Sequence, residues 1–166
     1  MNPIAEIRAD RTEARKLQDA NADTCFLALA SPEGLASVRT LVLRDIVDRS
    51  FRLFINGTSP KWQLLKQGAS YELLLWYPSQ QKQYRIQGET NTIDPDDVKT
   101  NWFRRPRGSK QLDYVYKEFA PQSSEISSRD ILVDEVNRIK RAYKPDDMTP
   151  PDEVTGIELV ANRIEM

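Results

Sequence analysis

The sequence predicts a mainly β protein with flanking helices, built as an antiparallel meander or Greek-key barrel. Five strand-type runs follow one another between Thr24 and Thr92, turn clusters separate them, and their connections are too short for repeated βαβ crossovers. At 166 residues with 39% hydrophobic content, the chain fits one domain, 1–166, large enough to bury a core without disulfides.

From Asn2 to Ala20, apolar Ile4, Ile7, Ala14 and Leu17 recur at near-helical spacing, which predicts an amphipathic helix that acts as a lid or brace. Thr24–Ala30 is a short apolar run ended by the turn cluster Ser31-Pro32-Glu33-Gly34, and Ala36–Arg44 is β-branched and bounded by Asp45. The two runs form a hairpin. Phe51–Asn56 alternates in the strand period and stops at Asn56-Gly57, after which Ser59-Pro60 opens a helix to about Gln67. Tyr71–Tyr77 is a dense apolar strand closed by Pro78-Ser79, and Gln83–Thr92 alternates again with Gly88 as a bulge.

Beyond this point the pattern turns helical. Asp94 caps a helix that begins at Pro95 and runs to about Phe103. Arg104–Ser109 reads as a basic loop followed by a short helix, and Ser127 or Ser128 caps a longer one from Arg129 to about Tyr143. Lys144–Asp152 carries three prolines and no periodicity, and Thr155–Met166 returns to strand alternation. Ending on Ile164-Glu165-Met166 suggests a sequence cut short inside a strand.

Composition narrows the chemistry. Against 24 basic residues stand 25 acidic ones, a formal net charge of −1, so no global field favours nucleic acid or an anionic membrane, and any anion site is local. A single cysteine, Cys25, and the lack of a basic-then-apolar leader point to a reducing cytoplasm. No apolar run approaches the ~20 residues that span a bilayer. Histidine is absent, which removes Ser-His-Asp and Cys-His nucleophile pairs, histidine-zinc sites and histidine proton shuttles together. An enzyme of this composition does well to borrow its chemistry from a cofactor.

Four stretches have the residues for a polar ligand. In Arg39–Arg44 (RTLVLR) two guanidinium groups flank apolar residues. They either lie at strand ends and pair with Asp45 or Asp48, or neutralise a phosphate, which suits arginine's planar set of donors. Five residues apart in a regular strand, they point to opposite faces. Asn56–Lys61 (NGTSPK) is a strand-to-helix turn with free N–H groups, two hydroxyls and a lysine, as an anion site requires, although plain capping by Thr58 or Ser59 explains it too. Gln83 offers an amide that donates and accepts, as a flavin edge or a nucleobase needs, or is a solvated strand residue. Arg104, Arg105 and Arg107 around Pro106 form either a solvated turn or a second phosphate site. Cys25, among small apolar residues, reads as packed.

Taken in order, RTLVLR, FRLFIN with NGTSPK, Gln83–Gly88, RRPRGS and PQSSEIS resemble the pyridoxamine 5′-phosphate oxidase-like family of FMN-binding split barrels, over roughly Ala22–Ser128. The resemblance implies a six-stranded antiparallel split barrel and a homodimer sharing two FMN sites across its interface. It implies cofactor contacts from Arg39, the backbone of Thr40, Leu41, Val42 and Leu43, Arg44 in place of a lysine, Phe54 and Ile55 in place of a tyrosine and a threonine, Ser59, Lys61 and Gln83. Gln122 and Ser123 are implied from the second subunit.

On the substrate side the resemblance implies Arg44, Arg105 and Ser109. Asn101 falls where a tyrosine is expected, with Trp102 a substitute only by a shift, and Val154 stands near a family tryptophan. The family's C-terminal arginine-x-histidine element is missing. The expected activity is hydride transfer from a small substrate to FMN. Rivals are a flavin reductase or deazaflavin-dependent enzyme in the same barrel, or a flavin-binding or ligand-binding protein without turnover.

Overall fold

Asn2 caps the first helix, α1 (Pro3–Lys16), its side chain accepting from the Ile4 N–H at 3.0 Å. The computed structural model describes residues 2–166. Helix α1 stops four residues before the expected Ala20, because Leu17 caps it and Gln18 turns left-handed at φ 54°. Among the described residues no helix is long and apolar enough to cross a membrane.

Seven strands form one sheet: β1 (Thr24–Ala30), β2 (Ala36–Val42), β3 (Asp45–Val47), β4 (Ser50–Asn56), β5 (Tyr71–Tyr77), β6 (Lys82–Thr92) and β7 (Val154–Glu165). Their order is β2-β1-β5-β6-β7-β4-β3. The pairs β1·β2, β1·β5, β3·β4, β5·β6 and β6·β7 are antiparallel. The fold class is therefore the expected antiparallel β architecture with flanking helices, with seven strands in place of six. The three-residue β3 is too short to show alternation, and its turn into β4 uses Asp48 at φ 49° and Arg49 instead of an Asn-Gly pair.

Strand β2 ends at Val42, two residues earlier than expected. Leu43 turns away and buries its side chain, and its N–H donates to the Asp23 carbonyl at 2.9 Å. The β-bulge falls at Gln87/Gly88, as the alternation predicts. A Cβ on Gly88 would sit 1.8 Å from the Val160 carbonyl oxygen, so only glycine lets β7 approach there.

The chain divides into two compact units. The first comprises the chain up to Leu53, Leu64–Thr92 and Ile157–Met166. Its core takes alternate residues of the sheet: Cys25, Leu27 and Leu29 of β1, Leu73, Leu75 and Tyr77 of β5, and Tyr84 and Ile86 of β6. The second comprises Phe54–Gln63 and Ile93–Gly156. Three helices supply most of it: α3 (Pro95–Phe103), α4 (Arg107–Glu118) and α5 (Arg129–Ala142). Trp102, Tyr114, Val115, Ile139 and Met148 form its core, with Val154 packed against them. Helix α2 (Pro60–Lys66) starts in this second unit.

Of the starts of α3, α4 and α5, two were legible and one was not. Asp94 caps α3 through the Asp96 N–H at 2.8 Å, and Ser128 caps α5 through the Ile131 N–H at 3.3 Å. The expected basic loop Arg104–Ser109 is shorter, because Pro106 is the N-cap of α4 and Arg107 its first residue.

Candidate functional site

In the first unit, strand register decides which candidates share a face. Phe26 pairs with Thr40 on one side and Leu74 on the other, Leu74 pairs with Arg85, and Trp76 pairs with Gln83. Residues directly opposite lie on the same face, so Thr40, Val42 and Gln83 share the outer face with half-buried Phe26, Leu74 and Trp76. Thr40 and Gln83 are three strands apart and two residues out of row, about 16 Å at the usual spacings. Gln83 is exposed there, its amide beside an indole, as an aromatic ring with polar edges requires.

Arg39 and Leu41 lie on the opposite face, paired with Leu27 and Cys25. The sheet thus separates the Arg39 side chain from Gln83. Arg39 is half-buried at the sheet edge, its Nη1 donating to the Leu27 and Ser37 carbonyls at 3.4 and 3.3 Å and its Nη2 to Ser37 Oγ at 2.7 Å. Burial draws its pKa down from the ordinary value. A guanidinium held by neutral oxygens and partly out of water gains from an anionic partner. Arg44 lies beyond the end of β2, so strand parity does not govern it; its N–H donates to the Arg52 carbonyl at 3.0 Å. Leu43 is buried and its N–H is already engaged, whereas Thr40, Leu41 and Val42 sit on an edge strand whose far side has no strand neighbour.

Two turns are stitched together in the second unit. The side chain of buried Asn56 accepts from the Thr58 N–H at 2.9 Å and the Thr58 hydroxyl at 2.6 Å, an Asx turn. Thr58 Oγ1 in turn accepts from the Gln122 N–H at 2.9 Å, and Lys61 Nζ donates to Gln122 Oε1 at 2.6 Å. The NGTSPK and PQSS turns therefore form one cluster within a single chain, although the resemblance draws Gln122 from a second subunit. Lys61 is only 8% exposed. Ser123 takes φ 72° in the turn Pro121–Ser124, a conformation serine rarely adopts. Ser59 is fully buried and its hydroxyl donates to the Asn56 carbonyl at 2.7 Å, so it braces the turn. Ile55 is buried and Phe54 half-buried just before it.

The expected substrate residues have a different setting. Arg105 Nη1 donates to Asp113 Oδ2 at 2.6 Å, and Trp102 Nε1 donates to the same oxygen at 2.9 Å. Burial pushes the Asp113 carboxyl above its ordinary pKa, opposed by Arg105, Trp102 and Asn56. Trp102 is fully buried in the core, so it does not stand in for the expected tyrosine. Ser109 lies half-buried in the first turn of α4, its N–H donating to the Pro106 carbonyl at 3.0 Å. Asp113 escaped the sequence reading. Its only signal is its place between Leu112 and the core residues Tyr114 and Val115. Cys25 is buried and its thiol is pushed up to about 12, which makes it inert. Among the described residues no group of three His, Cys, Asp or Glu could hold a metal ion.

An antiparallel sheet in this strand order, with an aromatic outer face and flanking helices, defines a protein of the split-barrel fold class. The family model described as pyridoxamine 5′-phosphate oxidase matches residues 12–142, and the chain belongs to that family. It is 26% identical over 164 residues to the pyridoxine/pyridoxamine 5′-phosphate oxidase of Gloeothece citriformis (strain PCC 7424), covering 99% of this chain and 75% of the relative. Among solved structures, PhzG from Burkholderia lata 383, in complex with tetrahydrophenazine-1-carboxylic acid, superposes with a TM-score of 0.85 at 20% identity, covering 98% of this chain and 78% of that one. A pyridoxamine 5′-phosphate oxidase-related, FMN-binding protein from Nostoc punctiforme PCC 73102 gives a TM-score of 0.75 at 17% identity, over 99% of this chain and 84% of that one. These two likenesses establish the fold.

Proposed function

We propose that this protein is a homodimeric flavoprotein that binds FMN and oxidises a small substrate. When bound, FMN supplies hydride acceptance. The carrying observation is the Lys61–Gln122 contact at 2.6 Å, which brings together within one chain two residues that the family resemblance assigns to the cofactor, Gln122 there from the second subunit. Lys61, a buried cation oriented by Gln122, suits the flavin phosphate, whereas the turn's N–H groups, expected to be free, are taken: Thr58 and Ser59 donate to Asn56 and Gly57 donates to the Glu153 carbonyl. Gln83 beside Trp76, on the face shared with Thr40 and Val42, suits the ring and its polar edge.

The outer face also supports the dimer. Val38 and Val42 are 71% and 53% exposed on edge strand β2, on the same face as Phe26, Leu74 and Trp76. An apolar face ending in an unpaired edge is covered in a stable protein, and a second copy of the same surface is the simplest cover.

The test is the visible spectrum of the purified protein, followed by chromatography of what a denaturant releases. Yellow protein releasing FMN supports the reading, and colourless protein that cannot be reconstituted with FMN overturns it. Anaerobic bleaching by a reduced amine or alcohol substrate, compared with reduced nicotinamide, then separates an oxidase from a flavin reductase. A flavin that neither bleaches marks a binding protein.

A further inference from the structure

Three guanidinium groups crowd the stretch 104–107 in the second unit, and the structure divides them. Arg104 and Arg107 are exposed. Arg105 turns inward onto Asp113, and the two side chains are 16% and 3% exposed. The same Asp113 oxygen, Oδ2, also accepts from the indole N–H of fully buried Trp102 at 2.9 Å. The one sheltered cation of the element therefore has its charge cancelled at contact distance. A phosphate dianion placed on Arg105 would have to share it with a carboxylate that cannot retreat to water, and like charges at such range repel strongly. The helices on either side of Arg105 also hold uncharged polar groups without partners: Asn101 Oδ1 on α3 and Gln111 Nε2 on α4 are buried with no hydrogen bond.

We propose that Asp113 is a specificity-determining residue: by engaging Arg105 it removes a phosphate site, and the protein takes a polar substrate that carries no phosphate monoester at this element. The proposal rests on the oxidoreductase reading above and names its substrate class.

The experiment is calorimetric titration of the FMN-reconstituted dimer with pyridoxamine and with pyridoxamine 5′-phosphate, in the wild type, Asp113→Asn and Asp113→Ala, with folding checked by circular dichroism. FMN loading is scored separately by absorbance, so a protein that fails to load defeats the flavin reading and leaves this one to be judged on ester binding to the apoprotein. The wild type is expected to bind the ester no more tightly than the free amine, or not at all. Freeing Arg105 in either variant raises affinity for the ester by about tenfold, the size of one charge-assisted hydrogen bond.

The opposite pattern overturns the proposal. A wild type that prefers the ester by about tenfold or more, and loses that preference in Asp113→Asn, would show that Asp113 aims Arg105 at a phosphate. Folded variants with no gain for the ester overturn it as well. Should neither variant fold, the wild-type preference decides alone.

Discussion

Lys61 and Gln122 stand 61 positions apart in sequence, and Lys61 Nζ donates to Gln122 Oε1 at 2.6 Å. The contact fixes where a long, flexible cation points, because Gln122 is itself tied through its N–H to Thr58, in the turn that leads into Lys61. A lysine held in this way loses less side-chain freedom when it meets an anion.

Lys61→Met keeps the length of the side chain and removes the charge. A charge-assisted hydrogen bond to phosphate contributes about 1.5–3 kcal/mol, so the FMN dissociation constant should rise by about tenfold to a hundredfold. Gln122→Ala leaves the charge but not its guide and should weaken FMN by about threefold to tenfold. Quenching of FMN fluorescence on titration measures both. Unchanged binding in Lys61→Met would remove Lys61 from the cofactor site.

How much of this was legible depends on whether a residue's neighbours in sequence are also its neighbours in space. Strands β1 and β5 match their expected spans because every second residue meets the core. Strand β2 was drawn too long because Leu43 continues the apolar run while the backbone has already turned to Asp23. The Asn56–Lys61 turn reads as an anion site or as plain capping, Gln122 and Ser123 stand out only through the family resemblance, and the meeting of the two turns gives them a joint role. Asp113 was invisible for the same reason. A carboxylate in an amphipathic helix reads as solvent-facing, and it is buried here because Arg105, in the link before α4, and Trp102, on α3, neutralise and bind it.

Gly88 was legible as a bulge, and its requirement is steric. Any side chain there starts with a Cβ 1.8 Å from the Val160 carbonyl oxygen, a backbone atom that cannot rotate away. Gly88→Ala must push β6 and β7 apart, and the expected loss is about 3 kcal/mol or more, at the upper end of overpacking costs. Urea unfolding of the two proteins measures it, and a change below about 1 kcal/mol would mean that β7 does not pack against β6 so closely.

The β2 edge provides a test of assembly that leaves the core untouched. Val38 is 71% exposed, so Val38→Glu costs little in an isolated chain but buries a carboxylate in any interface formed on that face. Sedimentation should show a dimer for the wild type and a monomer for Val38→Glu at micromolar concentration. A variant that sediments as a dimer would place the interface elsewhere.

Asp113 also leaves a pH signature. Burial raises its folded pKa above the unfolded value near 3.8, and the bonds from Arg105, Trp102 and Asn56 only partly offset this. Between those two values the folded state binds more protons than the unfolded state, so this group's contribution to stability is present below the unfolded pKa and is lost as pH rises through the folded one. Asp23 behaves in the opposite way: burial raises its pKa, but hydrogen bonds from Arg15 and Arg11 outweigh burial and lower it. Asp23 is common to both proteins and cancels when wild type is compared with Asp113→Asn. The difference isolates Asp113. Stability of the wild type relative to Asp113→Asn should therefore rise as pH falls from 7 toward about 4, with a slope of at most about 1.4 kcal/mol per pH unit for one group. Paired urea titrations across that range measure the slope, and a difference that stays flat or changes in the opposite direction would mean that the Arg105 pair holds Asp113 ionised more strongly than burial opposes it.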